Sequence, residues 1–158
     1  MKNYPISFTN IDNSLEFYDE VLKVKSEAYE YINSFKWCEK IVDSQLYFNL
    51  GSAFCVFIID IVNNQSKDKA DNKLWVIVGD LPSMYLDSHN VKSLKDSLEV
   101  YVELAEEWVE NVIAKKSVKE CFPFHKKPSM KLAKFLNNRI GFISTEILEN
   151  LDDIVLDD

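Results

Sequence analysis

Glycine is nearly missing from this chain: Gly51, Gly79 and Gly141 are the three in 158 residues. Isolated glycines cannot build the backbone cradle that a phosphate needs, and no P-loop, G-x-G-x-x-G turn or G-x-S-x-G elbow occurs. Arginine is scarcer still, with Arg139 alone, and the two histidines, His89 and His125, leave few candidate general bases. The three cysteines, Cys38, Cys55 and Cys121, are odd in number and not closely paired. Cys38 and Cys55 stand in apolar surroundings, where a free thiol behaves as a small hydrophobe. The longest apolar run, Ala53 to Ile59, has seven residues, against the roughly 20 that a bilayer span requires. The start, Met1-Lys2-Asn3-Tyr4-Pro5, lacks the pattern of a secretory signal. These absences lead us to expect a chain kept in a reducing cytoplasm, with no membrane partner.

Chemistry is equally thin. Cys121-x-x-x-His125 has the spacing of half a zinc site, and no second half follows. The same two residues would need a helical turn to meet as nucleophile and base, and the intervening Phe122-Pro123-Phe124 works against one. We therefore expect no metal, no cofactor and no catalytic group. Carboxylate chemistry is the remaining enzymatic option, because Asp80 and Asp87 flank a turn. A small enzyme using Asp80, Asp87 or Cys121 would need a concave pocket converging on them.

What the chain does have is apolar bulk and acid. Apolar residues make up 47% and aromatics 13%, enough for a core without disulfide or metal staples. The length suits one domain, residues 1–158, with the acidic tail 152–158 expected to fray. A net charge of −8 disfavours nucleic acid and anionic membranes, which need a positive footprint, and is compatible with a basic protein partner. Acidity for solubility alone explains the total charge equally well.

A first helix is predicted from about Ser14 to Lys40. Asp12, Asn13 and Ser14 are candidate caps, and Val21, Val24, Ala28, Tyr31 and Phe35 recur at helical steps. Gln45–Leu50 and Ser52–Val62 then read as two strands pivoting on Gly51, the second apolar on both faces and hence central and covered on both sides, or partly covered by a partner. Asn63 to Lys73 is a polar loop, Leu74–Val78 a third strand, Gly79-Asp80-Leu81-Pro82 a turn, and Ser83–Asp87 a fourth strand. Ser93–Ala114 is a helix with an apolar stripe of Leu98, Tyr101, Val102, Ala105, Trp108, Val109 and Val112, and Ser93 and Asp96 resemble a capping box. A last helix is predicted over about Ser129–Leu151, with Leu132, Phe135, Leu136, Ile140, Ile143, Ile147 and Leu151 on one, inward side and Gly141 marking a kink or a close helix contact. Strands followed by helices indicate an α+β fold: an antiparallel sheet of about four strands, with a long N-terminal helix and two C-terminal helices.

Charge patterning singles out the Ser93–Ala114 helix. Asp96, Glu99, Glu103, Glu106 and Glu110 recur at three- and four-residue steps, with Glu107 beside them and no Lys or Arg between Asp96 and Glu110. Like charges at these spacings repel. Either the stripe is simply a solvated face, or a basic surface neutralises it, from another molecule or from this one. Lys115 to Lys134 holds seven lysines against Glu120, so an internal source exists.

Leu74-Trp75-Val76-Ile77-Val78-Gly79-Asp80-Leu81-Pro82-Ser83-Met84-Tyr85-Leu86 is followed by Ser93-Leu94-Lys95-Asp96-Ser97-Leu98-Glu99-Val100-Tyr101 and then Glu106-Glu107-Trp108-Val109. This run, with the helix after Lys131, resembles a group of small, uncharacterised bacterial proteins with a V-G-D-L-P-x-x-Y-L core. It covers about Leu74 to Leu151. Such proteins are similar to immunity proteins of contact-dependent growth inhibition and polymorphic-toxin systems, and no catalytic residue carries over. The resemblance implies an immunity protein that binds a cognate toxin C-terminal domain, expected to be a basic nuclease. Asp96, Glu99, Glu103, Glu106 and Glu110 are the first candidates for its contacts, and Asp80, Tyr85 and Asp87 the second. The alternative is a non-enzymatic accessory or scaffolding protein, including a homodimer pairing the Ala53–Ile59 strand or the helices.

Overall fold

A computed structural model of the chain describes residues 4–7, 18–121 and 126–151. It is an α+β fold with five antiparallel strands and three α-helices. The chain divides into two compact units, residues 1–92 and 93–158.

The first unit is a helix on a sheet. Helix α1 spans Tyr18–Asn33 and buries Val21, Val24, Ala28 and Ile32, the three- and four-residue spacing that makes one apolar face. Strands β1 (Ile6–Ser7), β2 (Cys38–Leu50), β3 (Phe54–Asn63), β4 (Lys73–Gly79) and β5 (Met84–Asp87) lie in that order across the sheet. The fifth strand beyond the four expected is β1, which pairs Ile6 with Leu46 and Ser7 with Gln45. Two residues carry no readable alternation. Nearby, the Tyr4 hydroxyl donates to Asn49 Oδ1 at 2.6 Å and accepts from the Asn49 amide at 3.2 Å.

Successive side chains on a strand point to opposite faces, and on β3 both faces are dry. Cys55, Phe57, Ile59 and Ile61 join the α1 residues, with Leu46, Leu74, Val76 and Val78, in one buried cluster. Phe54, Val56 and Ile58 on the other face are buried as well, as are Trp75, Ile77 and Met84. The Trp75 indole satisfies its N–H on the Val91 carbonyl at 2.9 Å. This is the two-faced central strand expected from its unbroken apolar run. Because β2 and β4 occupy both of its hydrogen-bonding edges, pairing two copies through Ala53–Ile59 has no free edge to use.

Helix α1 stops at Asn33 rather than Lys40. Ser34 closes it, its hydroxyl donating to the Tyr31 carbonyl at 2.6 Å, a local bond that competes with further helix. Phe35 and Trp37 then stack at 4.9 Å between centroids, and Phe35 meets Tyr31 at 5.2 Å and Tyr85 at 5.0 Å. The aromatic spacing that looks helical thus builds a ring cluster. Residues 38–44, with β-branched Ile41 and Val42, run as strand. The candidate caps Asp12, Asn13 and Ser14 lie outside the described residues, as does the tail 152–158.

The second unit pairs α2 (Leu94–Ile113) with α3 (Met130–Phe142). Ser93 caps α2, its hydroxyl accepting the Asp96 amide at 3.0 Å, and Ser129 caps α3 by accepting the Leu132 amide at 3.1 Å. Every residue of the stripe expected on α2 is buried, Trp108 included. The last helix is less regular than expected. After Phe142 it widens to a π-helix over Ile143–Ile147 and tightens to a 3-10 turn over Leu148–Asn150. The hydroxyls of Ser144 and Thr145 bond back to the Ile140 and Gly141 carbonyls at 2.9 and 3.0 Å, a habit that bends helices. Gly141 marks no close contact, since a Cβ there would meet nothing within 4 Å.

Candidate functional site

The α2 helix turns about 100° per residue, so Asp96, Glu99, Glu103, Glu106, Glu107 and Glu110 fall within one arc, opposite the buried stripe. The structure exposes Glu99, Glu103, Glu106, Glu107 and Glu110 and leaves Asp96 half-buried near the cap. Lys95 and Glu99 form an ion pair at 3.8 Å. Among the described residues, no ion pair joins Glu103, Glu106, Glu107 or Glu110 to the lysines of 115–134. The internal neutralisation that the sequence left open is thus not made there. Beyond Glu99, the stripe stands as a band of negative charge that no described residue neutralises by an ion pair, with the half-exposed Ile113 at its C-terminal end.

The second set of candidates, in the first unit, does not converge. Asp80 is exposed in the turn after β4, its amide donating to the Ala53 carbonyl at 2.7 Å. Gly79 before it has φ +139°, and a Cβ there would lie 2.2 Å from the same carbonyl oxygen, so only glycine fits. Tyr85 sits opposite Val76, roughly 13 Å along the sheet from Asp80 at ordinary strand rise. Its ring belongs to the cluster with Phe35 and Trp37, and burial raises its hydroxyl pKa. The Asp87 carboxylate is engaged locally: Oδ1 accepts the amides of His89 at 2.9 Å and Asn90 at 3.4 Å, which fixes the turn after β5.

A polar concavity of about 250 Å³ is lined by Glu20, Lys23, Val24, Glu27, Ser52, Gly79 and Asp80. It takes in Asp80 but neither Asp87 nor Cys121. Cys121 is buried, with the Asn111 side-chain amide directed at its sulfur at 3.4 Å, and His125 lies outside the described residues. Among the described residues no three His, Cys, Asp or Glu side chains cluster as metal ligands, and no helix is long and apolar enough to cross a membrane.

One surface was misread from sequence. Phe135, placed with the inward residues of the last helix, is 39% exposed, and Phe142 is 45% exposed. Ala133, Leu136 and Ile140 make the buried side of α3. The seven-residue spacing of the two phenylalanines, out of step with Leu136 and Ile140, is the signal that could have found this face. Arg139 lies over the Phe135 ring at 4.8 Å.

No match is found among curated proteins or among solved structures. One family model does match, over residues 21–149, described as a domain of unknown function, DUF4826. It takes in most of α1 and all of β2 to β5, α2 and α3, and the chain belongs to that family.

Proposed function

We propose that this chain is a cytoplasmic immunity protein, which binds a basic toxin domain, a nuclease by its charge, and blocks it without chemistry of its own. The observation that carries the reading is the α2 band, in which Glu103, Glu106, Glu107 and Glu110 are exposed and make no ion pair with a described residue. Maintaining such a band costs a few tenths of a kcal/mol for each like-charged neighbour. A cationic protein surface would offset that cost and associate faster under electrostatic steering. The resemblance of the Leu74–Leu151 run to small uncharacterised bacterial proteins, themselves similar to immunity proteins, supports the same reading. The accessory or scaffolding role is the second reading, and the exposed α3 face favours it to the extent that it serves self-association.

Co-expression tests the proposal. The C-terminal domain of the protein encoded immediately upstream of this gene is produced with and without this chain. Growth arrest relieved by the chain, together with a purified complex that dissociates in high salt, is the expected result. A harmless upstream domain that shows no binding overturns the proposal.

A further inference from the structure

Charge on the second unit is segregated by helix. Helix α2 carries six acids and Lys95, while Lys126 to Ser144 carries five cations, Lys126, Lys127, Lys131, Lys134 and Arg139, and no acid. The two helices pack on each other, yet among the described residues no ion pair links their charges. On α3, Lys131, Phe135, Asn138 and Phe142 share the side opposite Leu136 and Ile140, flanked by Lys134 and Arg139. All six of these residues are exposed. Two aromatic rings held half out of a helix at heptad spacing, bordered by cations, form an unpartnered helix face.

We propose that this face docks on the acidic α2 band of a second copy of the chain. Three features select that occupant. The α3 face presents cations and the α2 band presents carboxylates, so the charges are complementary. Lys131 to Phe142 and Glu99 to Glu110 are each twelve residues long, about 16 Å of helix from end to end, so the lengths match. Exposed Ile113, at the end of the acidic band, gives the phenylalanine rings an apolar neighbour. An anionic lipid surface would satisfy the cations as well, but the chain's net charge of −8 repels such a surface as a whole. Each copy carries one face of each kind, so the contact can be made twice in a two-fold dimer or repeated head to tail. The inference concerns the chain alone and stands whatever basic partner the α2 band receives.

Sedimentation equilibrium on the full chain tests it, with the variants Glu103→Lys/Glu106→Lys and Lys131→Glu/Lys134→Glu. These are exposed positions, and far-UV circular dichroism verifies that both variants are folded. The wild type is expected to self-associate at micromolar to millimolar concentrations, more weakly as salt rises. Each variant alone should associate at least about tenfold more weakly. An equimolar mixture of the two should recover association, because the reversed α2 of one then meets the reversed α3 of the other. A wild type that stays monomeric overturns the proposal, whether or not it binds vesicles containing anionic lipid. Self-association that persists unchanged in both variants, or a mixture no tighter than its components, overturns it too.

Discussion

Reversing two charges in the acidic band should make the protein more stable and less able to bind. In Glu103→Lys/Glu106→Lys, the four-residue pairs Glu99–Glu103, Glu103–Glu107 and Glu106–Glu110 all change from like to unlike charge, while positions 103 and 106 stay alike. Each four-residue pair contributes roughly 0.2–0.5 kcal/mol of either sign, so each swing is worth about 0.4–1 kcal/mol. Three swings sum to about 1–3 kcal/mol, and full exposure with solvent screening draws the net gain toward about 1 kcal/mol. For a chain of this length that is a rise in Tm of roughly 2–4 °C. It should disappear near 1 M salt, where the screening length falls to about 3 Å. The assay is a thermal melt at low and high salt, alongside titration calorimetry with the basic partner, whose affinity should drop by about tenfold or more. At a concentration dilute enough to keep the chain monomeric, a melting temperature that falls at low salt would mean these carboxylates already hold cations within the folded chain. An unchanged affinity would remove the band from the interface.

Two glycine substitutions should move stability in opposite directions in urea denaturation. Gly79→Ala meets a backbone oxygen at 2.2 Å and needs φ +139°, so a loss of about 3 kcal/mol or more is expected; a loss under about 1 kcal/mol contradicts the turn geometry. Gly141→Ala, in open space within a helix, should gain about 0.5–1 kcal/mol, and a loss would mean the π-helical turn after it needs the glycine. Asp60 gives a pH signature. Desolvation raises its pKa above 3.8, Lys73 opposes, and Asp43 across the strand adds to the rise. The folded state therefore holds this proton more tightly than the unfolded state, and its contribution to stability falls as pH climbs through the window just above 3.8. Asp60→Asn should be more stable than wild type at neutral pH by less than about 1 kcal/mol, with the difference vanishing in acid. A less stable Asp60→Asn would show that the Lys73 pair, at 3.8 Å, outweighs the burial.

The fold was legible where one period dominates. The α2 stripe from Leu98 to Val112 could be read directly, because three- and four-residue spacing has one solution over about four turns. So could β3, because an apolar run bounded by Gly51 and a polar loop suits only a doubly covered strand. Reading faltered where aromatic residues obey two geometries. Phe35 continues the helical count of α1, yet stacking on Trp37 and an edge-on contact with Tyr85, fifty residues away, win over one more turn. Phe135 was assigned inward on hydrophobicity alone, although its angular position faces away from Leu136 and Ile140. The acidic band was visible as spacing; that Glu103, Glu106, Glu107 and Glu110 make no ion pair among the described residues was not, because ion pairing depends on where Lys115 to Lys134 lie in space. Nor could sequence separate Asp80, an open turn residue, from Asp87, whose carboxylate is committed to backbone amides.

The order of the strands across the sheet is their order in the chain, and that arrangement bears on how the protein is made. From β2 onward each strand meets its neighbour through an adjoining segment, so the sheet can zip hairpin by hairpin with little loop entropy to overcome. The segment Phe54–Ile59, which would template aggregation if left open, has β2 beside it as soon as it emerges from the ribosome. Its other edge is sealed once Leu74 to Val78 follow. Among the described residues the outermost strands, β1 and β5, are two and four residues long, and such short strands offer little edge of their own to a stray chain. Sequential topology thus serves as a solubility device, limiting the time for which the most adhesive part of the molecule stands exposed.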